Sequence, residues 1–550
     1  MDNYFVSSCK RVKDWICRQF GQKEKKTVHH KKFADGGEVI VWETGRAGEE
    51  AASYENLFLR KEIAGFRTNI RREQSCSIKS LTRDYLYKQL LSSGEYTFDH
   101  MLVIKDPYGE APLTALALFI LEEPACVRVT TKGNLKETDF VTELPKKKEH
   151  RVPILGMYAE KANDIVIEIL DDEGNCVKSH TFTIRTKRLP KSLRNVITVK
   201  KWTDKPAYSN IMINGGVKIH TCVFDIEGKI RYYLSRKPRG YGIFPLSDGH
   251  FFYMEKYISV PSYSNPQTVE SYDMDYFGRV FRTYLTEKGV HQEKAGGNIL
   301  TGSNSMLEHT EDCVIEIDRQ TGEIVWQLNM AEIFDETYQN MMDWCHVNSA
   351  AYYEKDRTIL ISLRNVHAVI CVDYDTKKLR WILSDPKFWE GTKMTPYLLQ
   401  PEGDVKWCYQ QHAAFEIALP DESNPQKKRI IVYDNHWAKR RKAKSFDKDP
   451  LSYVSFYDID EEKKSVSLHK RFAGPKTRIR ANGIYVPDKK RVYNMAGSYA
   501  EPVDGDGGGI FEYDYETGEV LSEFGVKPGF FRAYPFEPNV QELAEQMQVT

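Results

Sequence analysis

The sequence of 550 residues has no excess of either charge: 78 Lys and Arg stand against 78 Asp and Glu. That balance removes the overall field by which a chain is drawn to nucleic acid or to an anionic membrane. Paired cysteines are missing as well. All ten cysteines stand singly, with no Cys-x-x-Cys and no regular spacing, which argues against a disulfide framework or a zinc site and fits a reducing cytoplasm. The opening MDNYFVSSCKRVKDWICRQF has scattered charges and no apolar core, which argues against a secretory signal. The longest apolar stretch, Leu113 to Leu121, is about half the length of a membrane-spanning helix. No Gly-x-Gly-x-x-Gly phosphate fingerprint is present, and GDGGGIF reads as an exposed turn. The expectation is a soluble, cytoplasmic protein that binds neither nucleic acid nor membrane.

What is present is material for a large core, with 41% hydrophobic and 28% charged residues. Residues 1–95 are mixed, with basic runs (Lys23 to Lys26, His29 to Lys32) that read as solvated surface and a helix from about Ser80 to Ser92. At 96–190 the pattern changes to short β-rich segments, ACVRVTT, DIVIEIL and SHTFTIRT, the last two separated by the turn DDEGN. This predicts a small sandwich-like module, bounded by the proline and basic residues of KRLPKSLR.

From about residue 200 to 535 a unit recurs: an apolar strand, an Asp, a turn that usually holds Gly, and a second strand with aromatics. It reads CVFDIEGKIRYYL, SYDMDYFGRVFRTYL, CVIEIDRQTGEIVWQL, VICVDYDTKKLRWIL, VSFYDIDEEKKSVSLHKRF and IFEYDYETGEVLSEF. With Asp225, Asp273, Asp318, Asp373, Asp458 and Asp514 as markers, the steps are 48, 45, 55, 85 and 56 residues. A period near 50 with a hairpin at each step is the signature of radial blades. A four-stranded blade leaves both faces apolar, and stacking in a closed ring covers them. The fold class is therefore all-β: a six-bladed β-propeller behind the N-terminal module, with an insertion in one blade at roughly 385–450.

Polar residues at the starts of inner strands would face the central channel, where propellers bind ligands. In the third blade this position reads DWCHVNSAAYY, followed by ILISLRN. His346 opens one strand and Arg364 closes the next, so the hairpin returns the Arg beside the His. The fourth blade has CYQQHAAFEI, with His412, and the second has GVHQEKAGGNILTGSN, with His291. Three histidines in register on neighbouring blades, with an Arg that would be costly to bury unpaired, make a candidate site. His367, His436 and the run Lys439 to Lys442 read as rim or solvated residues.

The stretch DWCHVNSAAYYEKDRTILISLRNVHAVICVDYDTKKLRWILSDP resembles the most characteristic segment of the bacterial aryl-sulfate sulfotransferases that use no nucleotide sulfate. The likeness includes HVNS, the Arg ending the following strand and the Trp-Ile-Leu-x-Asp-Pro close. QQHAAF is similar to the family's Gln-His element and VYDN to the Asp-Asn that follows it. PYGEAPLTALALF and HRVPILGMY resemble its N-terminal module. The resemblance implies that His412 is the nucleophile and that His346 and Arg364 contact the sulfuryl oxygens. The third histidine corresponds to His291, in His-Gln-Glu before a shortened Gly-Gly-Asn turn where the family has His-His-Asp before Leu-Pro-Asn-Gly. Many members are periplasmic with a disulfide near the nucleophile; this chain has the single Cys408 there.

The chemistry suits these residue types. Sulfuryl oxygens carry negative charge during transfer, so catalysis is mainly positioning and electrostatic stabilisation. A neutral imidazole is both a nucleophile near pH 7 and a competent leaving group. The expected activity is transfer of a sulfuryl group from a phenolic sulfate donor to a phenol acceptor, ping-pong through a sulfohistidine, with no cofactor and no metal. A homo-oligomer is compatible with the sequence. Two alternatives stay open: a metal-dependent hydrolase using His291, His346 and His412 as a three-His site, and a non-catalytic propeller used as a binding platform.

Overall fold

The computed structural model describes residues 28–33, 37–43, 72–203, 205–216, 219–236, 242–258, 267–285, 290–305, 309–339, 341–419, 424–437 and 449–537. They fall into two compact units, which part between Arg188 and Leu189, within KRLPKSLR. The turn Asp275–Val280 groups with the first unit.

In the first unit, β1 (Val28–Lys32), β2 (Glu38–Glu43), β3 (His100–Lys105), β4 (Ala115–Thr131), β5 (Phe140–Ile154), β6 (Ala162–Leu170) and β7 (Cys176–Arg185) share one hydrogen-bonded sheet. The three β-rich segments read from the sequence lie in β4, β6 and β7. β4 changes partner along its length: its first part pairs with β3, its second with β6, and β5 follows both. The β4–β5 register breaks between Ile120 and Ala125, around Pro124, which has no N–H to give the ladder. β1 and β2, from the mixed region 1–95, extend this sheet, with β2 parallel to β3. The helix α1 runs over Arg72–Ser92, eight residues earlier than its expected start. His29 to Lys32 belong to β1, and Lys23 to Lys26 lie outside the described residues. Among the described residues, no helix is long and apolar enough to cross a membrane.

The second unit carries the ring of six antiparallel blades. Blade 1 is built from Asn210–Asn214, Cys222–Asp225 and Ile230–Tyr233, completed by the distant strand Arg532–Pro535. Blades 2, 3 and 4 have four consecutive strands each. Blade 5 adds the short strand Gln400–Pro401, and blade 6 takes Ile197–Lys201 at its edge. Both termini of the ring are thus tied into other blades' sheets, which closes it and leaves only short blade edges.

The packing follows from alternation. Every residue of Thr358–Leu363, in blade 4, is buried. Ile359 and Ile361 join a cluster with Leu300 and Val314 of blade 3, while Leu360, pointing the other way, joins Ile430 and Val432 of blade 5. Each such side chain removed from water is worth about 1.5–3 kcal/mol, and a continuous apolar run is the sequence consequence of two covered faces. The fourth strand of blade 3, Ile324–Asn329, is largely exposed.

The marker hairpins join the third and fourth strands of each blade. They close blades rather than open them. The segments with His291, His346 and His412 therefore belong to blades 3, 4 and 5, one later than the sequence reading assigned. In blades 2 and 5 the turn is capped by Asp275 and Asp460, two residues after the markers Asp273 and Asp458, which instead pair with Arg319 and Arg429. The insertion at 385–450 is not continuous, because Ala414–Ile417 and Lys427–Asp434 are strands of blade 5. GDGGGIF is only half an exposed turn: Asp506, Gly508 and Gly509 are buried, and a Cβ at Gly509 would meet the Tyr499 hydroxyl at 2.0 Å.

Candidate functional site

The segment 408–413 enters blade 5 with no regular structure of its own and is held from outside. The side chain of Gln411 is fully buried; its Nε2 donates to Ala368 O at 2.7 Å and to Leu363 O and Ser362 Oγ at 3.2 Å. Asn348 Nδ2 donates to Gln411 O at 2.7 Å, and Ser349 Oγ accepts from Ala414 N at 3.0 Å. The Asn and Ser of HVNS thus brace the two sides of His412. Gln410 and Ala413 have φ of 48° and 87°. That is the left-handed region, which side chains rarely adopt and which neighbours must enforce.

His412 is buried. Its Nδ1 lies 2.7 Å from Ala481 O and 3.3 Å from Ala481 N; the shorter contact selects the tautomer with the proton on Nδ1 and the lone pair on Nε2. Burial, with Arg532 and then Arg364 and His346 adding to it, holds its pKa well below the ordinary value, so the ring is neutral. The edge of Phe531 closes one side, with ring centroids 5.9 Å apart.

His346 has φ of 55°. The hairpin returns Arg364 beside it, whose backbone N–H donates to His346 O at 3.1 Å. The His346 Nδ1 lies 2.5 Å from Glu311 Oε2 and 2.9 Å from Asp343 Oδ2. Burial disfavours the charged ring, but the two carboxylates outweigh it and raise the pKa to about 9. His346 is therefore an imidazolium at neutral pH. His291, on Val290–Glu293, is neutral for the opposite reason: burial and Arg532 depress its pKa to about 3. Neither of its ring nitrogens has a hydrogen-bond partner.

His291, His346 and His412 line one cavity of about 60 Å³. Arg364 is not on its wall. Its guanidinium lies behind, donating to Gln410 Oε1 at 3.0 Å and Asn365 Oδ1 at 3.3 Å. The arginine on the wall is Arg532, with Asn214, Asn348, Glu311 and Tyr534; Ile243, Phe244, Met254 and Val347 supply an apolar side. Sequence reasoning passes over Arg532, Glu311 and Asp343. Asp343 stands three residues before His346, a visible signal; Arg532 follows the last marker hairpin on a strand whose partner lies in the first blade. His367 and His436 are buried rather than on the rim. His367 Nδ1 accepts from Gln410 N at 3.0 Å, and His436 pairs with Asp434 at 2.8 Å. Lys439 to Lys442 lie outside the described residues.

Among the described residues, one group could hold a metal ion: Glu311, Asp343 and His346, with donor atoms within 4.8 Å of one another. One nitrogen, His346 Nδ1, faces both carboxylates there, so a cation would have to displace the ring proton. Three cationic groups (Arg364, Arg532 and His346) against two carboxylates favour an anionic ligand in the cavity. Cys126, Cys176, Cys222, Cys313, Cys345, Cys371 and Cys408 are free thiols.

Known proteins match this chain along most of its length. The profile of the family described as Arylsulfotransferase (ASST) matches residues 195–532, and that of the Arylsulfotransferase Ig-like domain matches residues 102–187. The arylsulfate sulfotransferase AssT of Lelliottia amnigena is 21% identical over 77% of this chain and 90% of its own length. The AssT of Escherichia coli O6:H1 is 22% identical over the same shares. Among solved structures, an auxiliary nutrient binding protein from Bacteroides thetaiotaomicron VPI-5482 is 12% identical and covers 75% of this chain and 94% of that one. Its TM-score is 0.33, too low to carry an argument.

Proposed function

The chain belongs to the arylsulfotransferase family, and from that premise we propose that it moves a sulfuryl group from an aryl sulfate to a phenol through a covalent intermediate on His412. The observation that carries this is the state of His412: a neutral ring, its Nδ1 proton held by Ala481 O, its Nε2 lone pair free to attack.

In the first half-reaction, Nε2 attacks sulfur, the N–S bond forms and the S–O(aryl) bond breaks. The electron pair leaves on the phenolate oxygen, which takes a proton from the His346 imidazolium. The Nδ1–H···O bond to Ala481 keeps the sulfonated ring cationic, so it departs in the second half as a neutral imidazole. Neutral His346 then removes the acceptor's proton, the phenolate attacks sulfur, the N–S bond breaks and the lone pair returns to His412. His291 and His346 present ring nitrogens to the sulfuryl oxygens, and Arg364 adds positive field from behind Gln410. Free thiols, five of them buried and Cys176 exposed, support a reducing, cytoplasmic setting.

Mixing the protein with 4-nitrophenyl sulfate and no acceptor should release one equivalent of nitrophenol quickly, then slowly, with a mass gain of one SO₃ at His412. With acceptor present, double-reciprocal plots should be parallel. His412→Asn should abolish burst and adduct together, a loss of roughly 10⁴-fold or more. Substantial transfer by that variant would replace the covalent scheme with direct transfer. Loss of activity in EDTA, restored by zinc, would favour a metal at Glu311, Asp343 and His346 instead.

A further inference from the structure

The two arginines near His412 are held differently. The Arg364 fork is occupied by Gln410 and Asn365, and the residue stands off the cavity wall. Arg532 is on the wall and only 5% exposed. Its Nη2 donates to Asn348 O at 2.7 Å, while its Nε has no hydrogen-bond partner. On the same wall, His291 is 7% exposed with both ring nitrogens unpartnered. A buried guanidinium N–H and a buried imidazole without partners are strongly unfavourable unless a ligand satisfies them. The apolar residues of the cavity cannot. Both groups can donate, and a guanidinium has no acceptor to offer, so a ligand that satisfies them brings acceptor oxygens.

Resting on the reading of this cavity as a sulfuryl-transfer centre, we propose that Arg532 is an oxyanion donor of that centre, beside the His291 already assigned to it. Arg532 Nε–H and a His291 N–H each take a non-bridging sulfuryl oxygen in both half-reactions, while Arg364 is a positioning residue for the Gln410–His412 segment. The source of Arg532 adds a structural consequence. It opens the strand that closes the ring, paired across from Asn214 of blade 1, so the anion site is complete only when the last strand of the propeller has joined its first blade.

The test uses the full chain, inorganic sulfate as the anion probe and 4-nitrophenyl sulfate as the donor. Arg532→Gln should weaken sulfate binding, measured by calorimetry, at least tenfold and lower kcat for transfer by roughly 10²–10³-fold, the usual effect of removing one oxyanion donor. Arg364→Gln should lower kcat but weaken sulfate binding clearly less than Arg532→Gln does, since its charge acts from behind Gln410 and does not touch the anion. Arg532→Lys keeps the charge but loses the Nε–H, and should bind sulfate at least several-fold more weakly. Should Arg532→Gln fail to fold, as judged by circular dichroism, for want of the contact to Asn348, the lysine variant carries the test. Sulfate binding unchanged in the folded Arg532 variants, or lost in Arg364→Gln instead, would overturn the proposal. A parent protein that binds sulfate through Arg532 but transfers sulfuryl from no aryl sulfate would overturn the transferase reading and leave the oxyanion site standing.

Discussion

The outer hairpins and the inner strand ends of the blades are built on opposite plans. At the outer hairpins, Asp318 Oδ1 accepts from Gln320 N and Thr321 N, Asp373 Oδ1 from Thr376 N, and Asp514 Oδ1 from Glu516 N and Thr517 N. Each cap is satisfied within three residues. At the inner ends, the bonds that fix His412 span 48 residues to Leu363, 65 to Ser349 and 69 to Ala481. The hairpins use backbone conformations that their Asp and Gly residues favour. The inner ends hold His346, Gln410 and Ala413 at positive φ. Local rules repeat around the ring; the reactive end exists only because three blades impose it.

The strongest way to break this comparison is to loosen the inner end without touching a reacting atom. Gln411→Ala removes a side chain that stands off the wall of the His412 cavity but bonds Ala368, Leu363 and Ser362. We expect kcat to fall about 10²-fold, the effect of misplacing an adjacent reacting group by about 1 Å. Stability should fall by about 1–3 kcal/mol from the lost buried bonds, and the His412 adduct should form more slowly but still form. Stopped-flow nitrophenol release measures the first, denaturant titration the second. An unchanged burst rate would mean that the 408–413 backbone holds its own conformation.

A smaller effect concerns the proton. His346 keeps its proton up to about 9 because Glu311 and Asp343 outweigh burial. With phenyl sulfate, whose leaving phenol has a pKa near 10, the first half-reaction should fall about tenfold per pH unit above about 9. Glu311→Gln should move that limb to lower pH. The sign for stability is the same: the His346 pairing contributes fully below about 6.5, the unfolded value, and is lost as pH rises through about 9. His291 and His412 act in the other direction. As pH falls below about 6.5 the unfolded chain binds protons that the folded one refuses, down to about 3 for His291. A pH-rate profile without the alkaline limb would remove His346 as the acid.

How much of this was legible follows from the same division. The six-fold repeat could be read because an Asp-capped hairpin is a local event with local spelling. Its phase could not, since nothing in DIEGK or DRQTGE says whether the hairpin opens a blade or closes it; only strand pairing does. HVNS and QQHAAF stood out by residue type, and the structure brings His291, His346 and His412 to one cavity. Arg532 was hidden because its strand pairs with Asn210–Asn214, more than 300 residues away. His367 looked like rim because it follows the strand end LRN; AVICVD immediately after it is the signal of a buried strand.

The smallest effect should come from the outer hairpin, and it tests the separation most directly. Asp514 is partly exposed, pairs with Arg491 at 3.1 Å and caps its turn through Thr517 N at 2.9 Å and Glu516 N at 3.0 Å. The backbone bonds hold its carboxyl below the ordinary range, burial working weakly against them. Asp514→Ala removes the cap and should cost about 1 kcal/mol, the typical value of a capping side chain. Asp514→Asn keeps an oxygen for the two N–H groups and loses only the charge, so it should cost less, the exposed ion pair being worth well under about 1 kcal/mol. Neither change should alter kcat or the burst beyond about twofold, because no bond from this turn reaches the segments that carry His291, His346 or His412. Denaturant titration and burst kinetics on the two variants decide it. A tenfold loss of kcat in Asp514→Ala would show that strain at the hairpin of blade 6 is transmitted to Ala481, the carbonyl that holds the His412 proton, and the two ends of the blade could no longer be treated as independent.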